Sequence, residues 1–176
     1  MIISPGKSTI PYPPWGTKEL WAEANSTLHY IIKNHHKELQ KARDIAERLH
    51  DEYQLLFPAI EKLSATTCSK CKNPCCLHAK PYFDFRDLIY LQLTDEQLPE
   101  MQTIADRTDQ CRYITPTGCN LKRLQRPWIC TWYICPSQLT LITTESIATS
   151  LQIPVMSSKT QKIRYKLEKM FLQSVS

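Results

Sequence analysis

Cysteine content constrains this chain more than any other feature of its sequence. Eight cysteines occur in 176 residues, and four of them lie in the stretch "CSKCKNPCC" at 68–76. A chain of this length can bury an ordinary hydrophobic core without covalent cross-links. Stability alone therefore does not explain the cysteines, which indicate metal binding, disulfide formation or catalysis.

The N-terminal stretch favours a reducing environment for these thiols. "MIISPGKSTIPYPPWG" has a three-residue apolar run and lacks the basic start, long apolar stretch and cleavage site of a secretory signal. No apolar run approaches the ~20 residues that cross a bilayer. We therefore expect a soluble, cytoplasmic protein without membrane association. In that compartment, dense cysteine indicates metal binding or catalysis before disulfides.

The spacing of the cysteines fits metal coordination. Cys68 and Cys71 are in C-x-x-C spacing, which lets one turn direct two sulfurs at one ion. Because adjacent residues seldom point the same way, we expect Cys75 and Cys76 to serve different ions, or only one of them to serve the first. Two sets of four thiolates would match tetrahedral Zn²⁺ or an iron–sulfur cluster. The candidate ligands are Cys68, Cys71, Cys75, Cys76, Cys111, Cys119, Cys130 and Cys135.

Positive charge accompanies the cysteines. The formal charge is +5, but eight thiolates around two divalent metals would leave about +1, which disfavours nucleic acid as a partner. Basic residues near the cysteines would lower thiol pKa values, although ordinary solvated side chains explain them equally well. These residues are Lys70, Lys72, Lys80, Lys122, Arg123 and Arg126.

Other uses of the cysteines explain less of the sequence. A thioredoxin-like redox pair needs a βαβ pattern, which is missing, and a single nucleophilic cysteine leaves seven unexplained. Among the histidines, His78 alone is near enough to the cluster to replace a cysteine as ligand. Trp128, Trp132 and Tyr133 surround Cys130 in sequence, where they would shield a metal centre from water or simply fill the core.

Three glycines in the whole chain favour a mainly α fold. We expect an irregular Pro-rich arm at 1–16 and one long helix in the segment 17–63, capped by Thr17 and kinked or interrupted at Pro58. From residue 39 the apolar positions alternate in steps of three and four, which predicts a single seam. Its members are Leu39, Ala42, Ala46, Leu49, Tyr53, Leu56, Ile60 and Leu63.

The C-terminal segment 137–176 supplies a partner for that seam. Residues 158–173 predict a helix with one apolar face and Ser157 or Ser158 as cap, whereas 137–152 fit strand and helix about equally. Antiparallel packing of the two helices is the intramolecular interpretation. A homodimeric coiled coil, or another protein partner, is the alternative. The helix face consists of Ile163, Leu167, Met170 and Phe171.

The segment 64–136 is predicted as a small, irregular, cysteine-rich region. A short helix starts after Asp84, and a second starts at Thr94, which has capping-box spacing to Gln97. "CRYITPTGCNL" predicts two short extended pieces joined at 116–118.

These motifs resemble a known family. The pattern C68-x2-C71-x3-C75-C76, then Cys111, "GC" at 118–119, "RPWIC" at 126–130 and Cys135 resembles the YkgJ-type family of zinc- or iron-chelating cysteine-rich proteins. The resemblance covers 68–136, and all eight cysteines have a place in it. It implies bound zinc or iron. A similar arrangement in the flagellin lysine N-methylase group resembles an iron–sulfur methyltransferase.

Three functions are therefore kept open. The first is a protein that holds zinc, iron or an iron–sulfur cluster through its eight cysteines. The second is an iron–sulfur enzyme, a methyltransferase or oxidoreductase, although the sequence has no glycine-rich loop, Ser/His/Asp set or paired carboxylates. The third is a zinc-dependent module in which "LKRLQRPW" contacts nucleic acid or protein.

Overall fold

A computed structural model describes the chain from residue 13 to 176, except 69–70, 73, 116–117 and 146 and the side chains of 145–152. Most of the predicted arm at 1–16 lies outside the described residues. The described part is mainly helical, as predicted. Its helices are α1 (Lys18–Asn34), α2 (Gln40–Thr67), α3 (Phe85–Leu93), α4 (Ile129–Trp132), α5 (Pro136–Glu145) and α6 (Ile147–Val175).

The prediction of one N-terminal helix is wrong, because α1 and α2 are separate. Thr17 caps α1 as expected, accepting a hydrogen bond from the N–H of Leu20 at 3.3 Å, and the helix ends at His35. Residues 33–38 are all polar, so no apolar contact holds a continuous helix against the core across this turn. Pro58 does not interrupt α2, which continues to Thr67.

The predicted seam is the centre of the core. All eight of its residues are buried, and Leu39, Ala42, Ala46, Leu49 and Leu56 are 0% exposed. Helix α6 covers it through buried Ile163, Leu167 and Phe171, with Met170 partly buried beside them. The contact between α2 and α6 is the most extensive helix contact in the described chain. The seam is thus packed within one chain and presents no exposed apolar face to a second copy.

Two further helix predictions need correction. Helix α6 begins at Ile147 rather than after Ser157 or Ser158, and the described residues of the ambiguous stretch 137–152 are helical, in α5 and at the start of α6. No helix begins at Thr94. Its hydroxyl donates instead to the carbonyl of Tyr90 at 2.8 Å at the end of α3, and Asp95 then takes a φ of 54°, which terminates the helical path.

Short polar contacts order the rest of the cysteine-rich region. Asp84 caps α3 as its sequence predicts, and the structure adds a capping box with Asp87 that the sequence analysis did not identify. The expected hairpin consists of β1 (Ile114–Thr115) and β2 (Gly118–Cys119), paired antiparallel with Ile114 opposite Cys119. Tyr113 fastens this hairpin to the preceding loop, because its hydroxyl donates to the carbonyl of Met101 at 2.8 Å.

Candidate metal centre

The eight cysteines lie on four short segments that meet beyond the C-terminal end of α2. Cys68 and Cys71 follow α2, and Cys75 and Cys76 open a 3-10 turn. Cys111 precedes the hairpin, Cys119 ends its second strand, Cys130 lies on α4 and Cys135 precedes α5. All eight are free thiols. Cys68, Cys71 and Cys76 are exposed, and the other five are half-buried.

One set of thiols, the hairpin group, consists of Cys76, Cys111, Cys119 and Cys130. Burial raises the pKa of Cys130 far above its ordinary value, and the nearby charges of Cys111, Cys119 and Cys76 raise it further. Burial also raises the pKa of Cys111, with Cys119 and Cys76 again adding to the effect. Four cysteines separated by up to 54 positions are therefore close enough to interact electrostatically.

Backbone N–H groups at the start of the hairpin favour the thiolate form of Cys111. Backbone hydrogen bonds from Tyr113 and Ile114 to Cys111 act to lower its pKa, against the larger effect of burial. The same turn has a hydrogen bond from the N–H of Ile114 to the carbonyl of Cys111 at 3.3 Å. Backbone N–H groups directed at sulfur in this way stabilise negative charge on a thiolate ligand.

A second set, the helix-end group, consists of Cys68, Cys71, Cys75 and Cys135. Burial raises the pKa of Cys75 to about 11, and Cys76, Cys135 and Cys68 contribute to the shift. Cys71 is placed by the turn after α2, in which its N–H donates to the carbonyl of Cys68 at 3.2 Å.

Gln138 on α5 joins two members of the helix-end group. Its side-chain oxygen accepts a hydrogen bond from the N–H of Cys135 at 3.1 Å, and its Nε2 lies 3.9 Å from the sulfur of Cys68. Gln138 is only 7% exposed, although it lies at the edge of an otherwise polar region. Sequence reasoning missed this residue, because a glutamine three positions after Cys135 has no motif of its own.

The 3-10 turn separates the two adjacent cysteines. Successive residues of a 3-10 helix point about 120° apart, because the helix has about three residues per turn. Cys75 interacts with Cys68 and Cys135, whereas Cys76 interacts with Cys111 and Cys130. Cys76 also hydrogen-bonds Cys75 directly, so the two thiols lie at the boundary of the two groups.

The thiols of each group are not arranged as a preformed metal site. Among the residues that the structure describes, no group of three or more Cys, His, Asp or Glu side chains already has the arrangement of a metal site. The donor set nevertheless fits a thiophilic metal, since each group offers four sulfurs and no competing carboxylate. Four thiolates are the ligand set of structural Zn²⁺ and of iron–sulfur clusters.

Arg123 supplies an independent test of this fit. Its side chain packs beside the hairpin group, where Cys130 and Cys119 influence its pKa, and burial lowers that pKa. Its Nε is buried and has no hydrogen-bond partner within the described part of the chain; Glu61 lies 3.9 Å away. Arg123 thus has a long ion pair with Glu61 and a hydrogen bond from Nη2 to the hydroxyl of Ser64 at 3.5 Å, and thiolates formed on metal binding would add further negative charge beside it.

The other sequence-predicted residues divide between the site and the scaffold. Arg126 acts to lower the pKa of Cys130, and its Nε donates to the carbonyl of Leu121 at 3.0 Å. Lys80 donates to the carbonyl of Asp109 at 2.7 Å and so holds the loop that contains Asp109. Lys72 and Lys122 are exposed, and Lys70 lies outside the described residues. His78 is exposed directly after the 3-10 turn.

A buried ionic network connects the site to the helices. Arg164 on α6 donates to Asp87 at 2.6 Å, to Asp84 at 2.9 Å and to the hydroxyl of Tyr53 at 3.2 Å. Asp87 also accepts the backbone N–H of Trp128 at 3.1 Å. The network therefore fixes the start of the segment that bears Cys130, and Trp128, at 8% exposed, belongs to the core.

The two carboxylates of this network differ in burial. Burial raises the pKa of Asp87 to about 6, although Arg164 and two backbone N–H groups oppose the shift. Burial also acts to raise the pKa of Asp84, but Arg164 and Arg86 outweigh it and the net pKa is lowered. Asp84 keeps 29% side-chain exposure and a second arginine, which explains the opposite direction.

A small cavity lies beside the Arg164 network, and its lining includes Asp84, Asp87 and Arg164 rather than a cysteine. It has a volume of about 230 Å³, and Trp128, Ile129 and Trp132 on one wall flank Cys130 in sequence. Arg86, stacked 4.5 Å from the ring centroid of Tyr165, and Arg164 line the opposite part. Trp132 is 50% exposed, so it forms part of the rim rather than the core.

Comparison with known proteins adds no family assignment. No protein-family model matches the chain, and searches of curated proteins and of solved structures find no match. The resemblance to YkgJ-type proteins stays a prediction. In the described part of the chain, no helix combines the length and apolar character needed to cross a membrane.

Proposed function

We propose that this protein binds metal through its eight cysteines, as zinc, iron or an iron–sulfur cluster. The observation that carries the proposal is the hairpin group, in which Cys76, Cys111, Cys119 and Cys130 converge from four positions in the chain. Hydrophobic packing gives no reason to gather four thiols at a half-buried place. Four sulfurs with nearby cationic side chains are, however, what a thiolate-bound metal needs.

The raised pKa values agree with this use of the thiols. Burial and mutual proximity raise the pKa values of Cys75, Cys111 and Cys130, so these groups are neutral at pH 7 in the absence of a cation. A bound metal displaces their protons and supplies the positive charge that thiolates in close contact require. Metal binding should therefore release protons and weaken as pH falls.

Elemental analysis of anaerobically purified protein, together with its absorption spectrum, tests the proposal. We expect at least one zinc or iron per chain. A brown protein absorbing near about 400 nm would identify an iron–sulfur cluster. Colourless protein with less than one metal per chain, and a melting temperature that chelators leave unchanged, would contradict metal binding altogether.

An iron–sulfur enzyme is the second candidate, because a cavity is lined in part by residues adjacent in sequence to Cys130. Its wall of Trp128, Ile129 and Trp132 is continuous with the segment that bears Cys130. When bound, a cluster supplies electrons or an activated substrate carbon, and the cavity would position the substrate. Methyl or electron transfer would require cluster iron, so a protein that holds zinc alone excludes the electron-transfer form.

A nucleic-acid-binding zinc module has the weakest support. The sequence predicts that the basic segment acts together with Trp132 and Tyr133 as stacking aromatics. These two rings are 50% and 48% exposed, whereas Trp128 of the segment itself lies in the core. Arg126 is engaged with the carbonyl of Leu121, and the side chain of Arg123 is 9% exposed. Little of "LKRLQRPW" is therefore presented for contact with bases. A gel-shift assay against single-stranded RNA and DNA at low salt is expected to be negative.

A further inference from the structure

The cavity beside the Arg164 network combines buried charges with exposed aromatic rings. The start of α3, helix α4 and the middle of α6 form it. Its volume of about 230 Å³ is below the roughly 300–1,000 Å³ of sites for drug-sized ligands, so it fits a molecule of one or two rings. We propose that this cavity binds a small aromatic carboxylate, whose carboxylate pairs with Arg86 and whose ring contacts Trp132 and Tyr165. The inference goes beyond the proposed metal-binding function and requires no metal.

Aromatic rings lie at the mouth of the cavity. Trp132 and Tyr165 line it, although they are 50% and 52% exposed. Trp128 lines it from the core, where its ring stacks on Tyr53 with the centroids 5.7 Å apart. Large rings left open to water beside a concave site are typical of ligand-binding surfaces. Because stacking needs a flat π surface, these rings favour a planar aromatic ligand.

The two carboxylates of the cavity are already paired, which disfavours a cationic ligand. Asp84 accepts hydrogen bonds from the N–H of Asp87 at 2.9 Å and from Arg164 at 2.9 Å, and Arg86 donates to it at 3.0 Å. Asp87 accepts from the N–H of Asp84 at 3.0 Å and from Arg164 at 2.6 Å, and the N–H of Trp128 donates to it at 3.1 Å. A carboxylate offers about four lone-pair positions, so little capacity is left for an ammonium group.

Of the two arginines in the cavity, Arg86 has the weaker pairing. Its Nε and Nη2 lie 3.0 and 2.9 Å from one oxygen of Asp84, whereas its Nη1 lies 3.7 Å from Glu168, beyond hydrogen-bond length. Its guanidinium is held 4.5 Å from the ring centroid of Tyr165, and 24% of the side chain is exposed. A planar guanidinium matches a carboxylate, so a ligand carboxylate displaces only the long contact with Glu168.

The charge of the lining limits the charge of the ligand. Arg86 and Arg164 balance the ionised Asp84 and Asp87, so these four side chains together are neutral. A phosphate group brings a charge of about −1.5 to −2 next to two carboxylates, whereas a ligand carboxylate brings a single charge. The cavity therefore favours a carboxylate over a phosphate on the same ring.

Isothermal titration calorimetry of the full-length protein tests the site with defined probes. Benzoate and cinnamate are the aromatic carboxylates, their amides lack the charge, and cyclohexanecarboxylate lacks the aromatic ring. For the better of the two carboxylates we expect a single site with a Kd below about 1 mM. Its amide, and phenyl phosphate or benzylamine compared with benzoate, should bind at least about 10-fold more weakly. Cyclohexanecarboxylate should bind at least about 3-fold more weakly than benzoate.

Substitutions in the cavity assign the contacts. Arg86→Gln should reduce the affinity for the better carboxylate at least about 10-fold and leave that for its amide unchanged, and Arg86→Lys should restore part of the loss. Trp132→Ala should weaken the carboxylate and the amide alike, by about 3- to 10-fold. Arg48→Gln on α2 and Tyr30→Ala on α1 change exposed residues outside the cavity and serve as controls. Far-UV circular dichroism checks that each variant is folded.

The outcomes separate the ligand site from the proposed metal binding. If neither aromatic carboxylate binds, the site is excluded, while metal content and chelator sensitivity still decide the proposed function. Amides that bind as tightly as their carboxylates, or a folded Arg86→Gln with unchanged affinity, would contradict the pairing with Arg86. Equal binding of benzoate and cyclohexanecarboxylate would overturn the aromatic contact. Tighter binding of phenyl phosphate or benzylamine would show that the ligand carries a different charge.

Discussion

The helical frame and the cysteine-rich region are stabilised by different interactions. In the frame, α2 and α6 bury a regular seam of aliphatic and aromatic side chains, several of them 0% exposed. In the cysteine-rich region, the two strands are each two residues long and the thiols are half-buried or exposed. Burial of apolar surface can hold the frame alone, whereas the other region depends on polar contacts and, in our proposal, on metal.

The largest effect should come from the frame. Replacing Leu56 by alanine removes a fully buried side chain from the seam and leaves a cavity, so we expect a loss of about 2–5 kcal/mol in the free energy of unfolding. The neighbouring Leu55 is 65% exposed on the same helix, and Leu55→Ala should cost less than about 0.5 kcal/mol. Urea unfolding of metal-free protein measures both.

Equal losses in the two variants would break the comparison. They would mean that the frame is not packed along the seam, and that α2 presents a different face to α6. A cost for Leu56→Ala that appears only in the metal-loaded protein would show instead that the frame itself needs the metal.

Removal of metal should separate the two regions. In hydrogen exchange followed by mass spectrometry, a chelator should abolish protection of amides in 111–135 while those of α2 and α6 keep theirs. The physical reason is that two short strands and the 3-10 turn Arg123–Gln125 make few hydrogen bonds of their own. Simultaneous loss of protection in α2 and α6 would contradict the independence of the frame.

The sequence predicted the frame better than the site because periodic burial is a local signal. Steps of three and four residues identified all eight buried seam positions, and Asp84 was recognisable as a cap. The break at residues 35–39 and the true start of α6 were missed, since helix ends depend on tertiary packing more than on propensity.

The site was only partly predictable, because its contacts are long-range. All eight cysteines could be named as candidate ligands, but no spacing rule sorts Cys130 with Cys76 or Cys135 with Cys68. The sequence placed Arg164 on a predicted helix and indicated no role for it. In the structure it joins α6 to the carboxylates of Asp84 and Asp87. The capping-box spacing of Thr94 and Gln97 predicted a helix after α3. The structure has an irregular loop there, because Thr94 bonds back to the end of α3 instead.

A smaller effect should follow from loss of Gln138. We expect Gln138→Leu to weaken Co²⁺ binding by about 10- to 100-fold, because Cys135 and Cys68 lose an outer hydrogen-bond partner. Ser137→Ala changes the exposed neighbour and serves as the control. Co²⁺ titration is the measurement, and an equal loss of affinity in Ser137→Ala would contradict a role for Gln138.

The smallest effect concerns Asp87, which links the frame to the segment bearing Cys130. Its pKa in the folded protein is about 6, above the ordinary 3.8, so the folded state holds this proton more tightly than the unfolded state. The resulting stabilisation is complete below about pH 3.8 and is lost as pH rises through 6. Asp84 has a lowered pKa, so its contribution changes only below 3.8.

Two asparagine variants isolate this difference in metal-free protein. Between pH 4.5 and 7, the free energy of unfolding of the wild type relative to Asp87→Asn should fall as pH rises, because only the wild type loses the proton. Relative to Asp84→Asn it should stay constant over the same range. Urea titrations at several pH values measure the difference in free energy of unfolding between the wild type and each variant. A constant or widening difference for Asp87→Asn would show that Arg164, 2.6 Å away, keeps this carboxylate ionised throughout, and that the link between the two regions is a permanent ion pair.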